Sequence, residues 1–335
     1  MNTSEESVDF YNRLVYECKF WLEGVIIPIV GGIGVIGNSV MFYILLIHDL
    51  GLKPLFRELI MSLLVSDSLC VILSIVLFSL PRLFPTVYSL IIAPRLVPIL
   101  LPLDEIALTV SIYVTVGVAI ERWFSVCKPH TQMMENAGLI IISSIITGAF
   151  ILNISRFFEY EVVSHKYTRE ELDGNKTFHY YLPQPTHLRT DPTYSKVSTI
   201  VSLFVLHLLP LCSLVILYKT IYKAIRARTL RLSTMNSRQM RDLTVAATLA
   251  IIVLVFLLCH SFKCFINMVE LYAVIQDKDP DEYWGSGMSI VAAVSHSLII
   301  LNSSTNFIIY CYKDKKFRDI VSNGCKEILA EWRCW

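Results

Sequence analysis

Six polar residues of this 335-residue chain carry oxygen chemistry where apolar residues surround them. Asp67 stands in the run Leu63-Leu64-Val65-Ser66-Asp67-Ser68-Leu69, and Asn38 and Ser111 stand mid-way in two other apolar runs. Asn302, Ser303 and Asn306 share a fourth run, with Asn302 and Asn306 one helical turn apart on one face. A carboxylate with amide and hydroxyl oxygens suits a small hard cation such as sodium, because hard cations take oxygen ligands. The same set also reads as a helix-to-helix hydrogen-bond cluster without an ion. The residues taken alone favour that second reading.

A second group carries charge. Asp104-Glu105 precedes Arg122 by eighteen residues, about 27 Å along a helix, so the acid pair and the arginine sit at opposite faces of a bilayer. Lys263 belongs to another apolar run and reads either as the ion-pair partner of those acids or as part of a ligand pocket. Glu121-Arg122-Trp123 ends its run on the side opposite the acid pair. Asp242 lies at the same level of the sixth run, so an Arg122–Asp242 bridge there makes a two-state contact of the kind switches use. Interfacial anchoring is the alternative for Arg122, and a solvated surface charge is the alternative for Asp242. No His/Glu metal spacing, glycine-rich phosphate loop or nucleophile motif stands out, so no enzyme is expected.

These residues need long apolar elements to position them, and the composition supplies such elements. Hydrophobic residues make up 54 % of the chain and charged residues 17 %, with a mean hydropathy of +0.57. An ordinary soluble domain carries about 25 % charge, and a disordered chain needs low hydrophobicity. The net charge of +1 gives no nucleic-acid footprint. Apolar blocks cover roughly 24–47, 59–80, 91–120, 138–154, 197–218, 243–269 and 288–311. Each approaches or exceeds the roughly 20 residues of a spanning helix. None alternates as barrel strands do. An all-α bundle of seven transmembrane helices follows. A transporter, the reading from another class, is disfavoured by the lack of paired repeats.

Basic residues fall in the segments after the first, third, fifth and seventh blocks, and acids collect at 159–173 and 277–282. The positive-inside rule then sets the N-terminus outside, 24–312 as the membrane domain and 313–335 inside as a short tail. Acids in 1–23 argue against a cleaved signal, so that segment is expected outside and the first helix is expected to be the anchor. Asn2 and Asn175 are the sequons on the outer side, whereas those at Asn153 and Asn302 lie in or at spans. Pro28, Pro98, Pro102 and Pro210 are expected to interrupt their helices.

In order, Gly37-Asn38, Asp67, Glu121-Arg122-Trp123, Pro210 with Tyr218, Asn306-Phe307-Ile308-Ile309-Tyr310 and Lys315-Lys316-Phe317-Arg318 resemble the motifs of rhodopsin-like G-protein-coupled receptors. Asn153-Ile154-Ser155-Arg156-Phe157-Phe158-Glu159, Phe256-Leu257-Leu258-Cys259-His260 and Asn302-Ser303-Ser304-Thr305-Asn306-Phe307 are similar to invertebrate FMRFamide receptors and their relatives. The resemblance implies a seven-helix plasma-membrane receptor with a short membrane-parallel helix after the seventh span. Its ligand would be an extracellular neuropeptide and its inner partner a heterotrimeric G protein, with arrestin and membrane lipid as further partners.

Carried over, Glu121, Arg122, Tyr218, Asp242, Asn306 and Tyr310 would serve coupling and activation. Asp67, Ser111, Asn302, Ser303 and Asn306 match the family's sodium positions, which lifts the ion reading above the hydrogen-bond one. Asp104, Glu105, Glu159, Lys263, Glu270 and Trp284 would bind ligand. The acids, with 277–282, would complement a peptide's arginine, and Phe157, Phe158, Tyr272 or Trp284 its ring. An amine or chemosensory receptor of the same fold is the alternative. Lys263, Cys264 and Ile300 stand where an amine receptor has aromatics.

Three departures stand out. Val97 replaces the usual outer cysteine and 155–196 contains none, so that disulfide must be absent. His260 and Phe262 replace the sixth-helix Trp and Pro. Cys325 and Cys334 read as palmitoylation sites or as free thiols.

Overall fold

The structure, a computed structural model, describes residues 3–86, 88–128, 136–171, 174–229, 237–276, 286–313 and 317–323. Asn2, Trp284, the acidic stretch 277–282, Cys325 and Cys334 lie outside the described residues. For Asn175, Asp242 and Tyr310 the backbone alone is described, within a strand or a helix.

Among the described residues seven helices are long and apolar enough to cross a membrane: Phe10–Ile47, Pro54–Leu83, Leu90–Cys127, Ala137–Phe158, Pro192–Ala224, Val253–Ile275 and Gly287–Ile309. The all-α bundle expected from the blocks is present. Ile29, Ile36, Leu139, Ile151, Ile216 and Leu258 are exposed, which in a bundle of this kind is the face given to lipid. A short helix over 317–323 follows the seventh span. It is pinned by Phe317, which is buried and meets Phe307 edge to face at 5.9 Å.

The first helix is longer than its apolar block. It begins at Thr3 and continues through Phe20–Ile26 into Ile27–Ile47. Lys19 at the end of Thr3–Lys19 suits the helix dipole.

The prolines act differently from the expected breaks. Among the described residues four segments are π-helical, each a locally widened turn: Phe20–Ile26, Ile75–Ser79, Tyr88–Ile92 and Ser202–Leu208. A proline follows each two residues on: Pro28, Pro81, Pro94 and Pro210. A proline removes one N–H and crowds the carbonyl four residues earlier. That carbonyl belongs to Gly24, Leu77, Leu90 or Leu206, always inside the wide turn. Pro98 and Pro102 instead lie within the uninterrupted helix Ala93–Cys127.

The first and seventh helices touch backbone to backbone. A Cβ on Gly34 would lie 2.7 Å from Ser304 Cα and closer still to its side chain. One on Gly37 would lie 2.9 Å from Phe307. Small residues permit such approach where packing, not water, drives association. Inside, one apolar cluster joins Met41, Phe56, Leu59, Leu63, Val114, Ala149 and Phe317. A second joins Ala107, Ile112, Leu214, Val253, Phe256 and Ile299.

Between the fourth and fifth helices the chain forms an antiparallel hairpin, β1 (Tyr160–Glu171) on β2 (Gly174–Pro185). Its register runs from Tyr160 opposite Pro185 to Glu171 opposite Gly174.

Candidate ligand cavity, buried polar cluster and buried arginine

At the hairpin end of the bundle a cavity of about 290 Å³ opens between the helices. It collects charge from three parts of the chain: Asp104 and Glu105 from the third helix, Lys263 and Glu270 from the sixth, and Arg189 beyond β2. Lys263 Nζ lies 3.5 Å from Glu105 Oε1, so the expected ion pair forms and also lines the cavity. Asp104 is buried and accepts from Ser74 Oγ at 3.3 Å. Three carboxylates therefore face two cations around one space.

Glu159 is placed elsewhere. It is buried beneath the hairpin, Tyr194 donates to its Oε1 at 2.8 Å, and Arg189 Nη1 lies 3.3 Å from its Oε2. The expected aromatic surface also moves. Phe158 and Tyr272 are exposed and Phe157 packs beside Phe150, none of them lining the cavity; Phe78 and Tyr160 do.

His296, another lining residue, stacks on Phe78 at 4.4 Å between ring centroids. Its Nδ1 lies 3.8 Å from Glu23, which also holds Arg82 Nε at 3.2 Å. An ionisable group in a span is costly and flags function. That rule finds His296, whereas the apolar block starting at 24 set Glu23 outside.

Deeper in the bundle Asp67 is fully buried. Ser111 Oγ donates to its Oδ1 at 2.6 Å, Asn306 Nδ2 donates to its Oδ2 at 2.7 Å, and the Ser303 side chain bonds it too. Asn38 Nδ2 donates to the Ser303 carbonyl at 3.1 Å. Asn302 is buried on the same helix, its carbonyl accepting from Thr305 at 3.0 Å. Asp67 and Asn306, so joined, are 239 positions apart in sequence. One carboxylate with two serine hydroxyls on it and the buried Asn38 Oδ1, which has no hydrogen-bond partner among the described residues, supplies oxygen donors of the kind a monovalent hard cation takes. Among the described residues no cluster of His, Cys, Asp and Glu suits a multiply charged metal.

At the other end Arg122 is buried and ion-paired with its neighbour Glu121. Its guanidinium lies 3.8 Å from the Phe56 ring centroid. Ser125 Oγ donates to Glu121 Oε1 at 2.7 Å and Lys53 Nζ to Ser125 Oγ at 2.9 Å. Nη2 of Arg122 has no hydrogen-bond partner among the described residues. Tyr218 is half-buried against the second apolar cluster and stacks on Tyr222 at 6.2 Å. Phe56 carried no sequence signal, since a phenylalanine at a helix start is commonplace.

The family model for the seven-transmembrane receptors of the rhodopsin family matches residues 37–310. The chain is 29 % identical over 328 residues to the FMRFamide receptor of Drosophila melanogaster, covering 93 % of this chain and 55 % of that protein. It is 26 % identical over 322 residues to an FMRFamide peptide receptor of Caenorhabditis elegans, covering 90 % and 69 %. The chain therefore spans about half the length of the first of these relatives. Seven spanning helices and a family match over most of them lead to one assignment: this chain belongs to the rhodopsin family of seven-transmembrane receptors.

Proposed function

We propose that the chain is a plasma-membrane receptor for an extracellular peptide of the FMRFamide class and signals to a heterotrimeric G protein. The carrying observation is the cavity, where Asp104, Glu105 and Glu270 outnumber Lys263 and Arg189 beside the rings of Phe78 and Tyr160. A peptide ending in Arg-Phe-amide brings a guanidinium and a ring to that surface. Both relatives' names point the same way. The N-terminus faces outward, as the sorting of basic and acidic loops supports. Asn2 and Asn175 then accept glycans on the outer side.

Binding shifts a pre-existing equilibrium rather than driving chemistry. Arg122 and Tyr218, with Asp242, Asn306 and Tyr310, change partners at the inner end, where a G protein and, after activation, arrestin dock. Sodium would be held by Asp67, Ser111, Asn302, Ser303 and Asn306, and would supply a fixed positive charge beside Asp67. The Asp67 oxygens already tie the third helix to the seventh. Calcium or cyclic-nucleotide responses of cells expressing the receptor to a panel of Arg-Phe-amide peptides test the reading. A submicromolar response to one of them, lost on removing its amide, is expected. Silence to the whole panel with a response to a small amine refutes it.

A further inference from the structure

Among the described residues none from the first helix lines the cavity, yet the wide turn of that helix reaches one that does. At the end of the turn Ile27 N bonds the Leu22 carbonyl, five residues back. The next carbonyl in that register, on Glu23, faces Pro28, which has no N–H to give. Ser79 Oγ of the second helix donates to it instead, at 2.6 Å. Ser297 Oγ of the seventh helix lies 3.5 Å from the Leu22 carbonyl. Both neighbouring helices thus hold the turn by its backbone. The side chain so placed is Glu23, buried, with Oε2 3.2 Å from Arg82 Nε and Oε1 3.8 Å from His296 Nδ1. That ring nitrogen is buried and has no hydrogen-bond partner among the described residues. The His296 ring stacks on Phe78 and lines the cavity. One edge of the imidazole therefore faces an acid behind the wall.

We propose that Glu23 is a positioning residue for ligand recognition and that His296 is a specificity-determining contact, whose Nε2 accepts a hydrogen bond from an amide or guanidinium N–H of the ligand. In a neutral imidazole one nitrogen donates and the other accepts, and the partner of the first decides the role of the second. An ionised carboxylate only accepts, so Glu23 favours the proton on Nδ1 and leaves the lone pair on Nε2. The ligand class rests on the peptide-receptor reading above; the tautomer does not. Protonation would turn the acceptor into a donor. Imidazole takes up a proton between about pH 8 and pH 5. His296 does so facing Glu23, with Arg82 and Lys19 acting on that acid, Asp104 and Glu105 on the third helix, Lys263 and Glu270 on the sixth, and Arg189 beyond β2. The neutral ring is the binding form, so peptide potency falls as the pH falls.

The test has a ligand-free arm and a ligand arm. In the first, the purified receptor carries histidine labelled with nitrogen-15 in the ring, and the His296 signals are assigned by their loss in His296→Phe. At about pH 8 wild type is expected to show the proton on Nδ1. Glu23→Leu shifts it towards Nε2, and Glu23→Gln, which keeps an acceptor, falls between. A tautomer unmoved by either variant overturns the positioning role. In the second arm, Phe-Met-Arg-Phe-amide potency is measured from about pH 8 to about pH 5.5 and corrected for surface expression. His296→Phe keeps an aromatic ring on Phe78 but is expected to lower potency at the upper pH about tenfold, the worth of a hydrogen bond to a charged group. It also loses the acid-side fall that wild type shows beyond it. Glu23→Leu lowers potency less and adds nothing in the His296→Phe background, because the two act in series. Arg82→Gln removes the other partner of Glu23 and stays at wild type. Additive losses in the double variant, or a loss in Arg82→Gln as large as in Glu23→Leu, overturn the proposal. If the peptide leaves wild type silent, the peptide reading fails on its own, and the tautomer still decides the role of Glu23.

Discussion

Replacing Gly34 by alanine asks how tightly the first helix must lie on the seventh. The added Cβ would sit 2.7 Å from Ser304 Cα. Carbon atoms rest at about 3.5–4.0 Å, so the two helices must part by about 1 Å. A side-chain rotation cannot relieve this, because the obstacle includes backbone. Overpacking of this kind costs roughly 1–3 kcal/mol, and the displaced stretch carries Ser303 and Asn306, both partners of Asp67. The control is built in, since a Cβ on Gly32, two residues away, meets nothing within 4 Å. Thermal unfolding of the detergent-solubilised receptor is the assay. Gly34→Ala is expected to lower the midpoint by several degrees and Gly34→Val by more, whereas Gly32→Ala stays at wild type. The stabilisation given by sodium chloride over choline chloride is expected to shrink in Gly34→Ala. Gly34→Ala and Gly32→Ala unfolding together would refute the argument.

Asp67→Asn should abolish any sodium effect on agonist binding while keeping part of the hydrogen bonding. Wild-type binding that is identical in sodium and choline salts speaks against the ion. Phe56→Leu takes the ring from the Arg122 guanidinium, worth about 0.5–2 kcal/mol. Agonist-free signalling should rise a few-fold; no rise means the ring does not restrain the arginine. Glu105→Gln removes the ion-pair partner of Lys263 and should lower the yield of folded receptor. Replacing both residues by methionine should restore yield without restoring peptide response. Recovery of the response by that pair would remove both residues from recognition.

Much of this architecture is legible because a bilayer imposes a simple length. The block 59–80 corresponds to Pro54–Leu83 and 138–154 to Ala137–Phe158, each element outlasting its apolar run. The additions are polar or amphipathic turns, which hydrophobicity alone does not extend. Asp67 and its partners are legible because a carboxylate deep in an apolar run demands neighbours. Glu159 reads in sequence as a loop acid free to meet a ligand, and it is buried instead. Its environment is made by a hairpin whose strands carry mixed charge and no lasting alternation, so neither pairing nor burial can be read from its pattern. The cavity wall at Arg189 and Tyr160 escapes the sequence for the same reason. Their roles depend on which elements converge, not on any spacing along the chain.

The four proline-capped wide turns bear on how such a chain can vary. A wide turn is an inserted residue whose disturbance ends within one helical turn. Three of them hold an inward polar group: Glu23 in the first helix, Ser79 in the second and His207 in the fifth, all buried. On the side of each wide turn away from the cavity the ordinary helical phase holds, so the segments carrying Asn38, Asp67 and Tyr218 keep their rotation. A single-residue insertion or deletion at such a turn would therefore re-aim the side chains on its cavity side by about 100° while leaving the other half in register. The cavity end can therefore change by length variation as well as by substitution, without disturbing the end that carries Arg122.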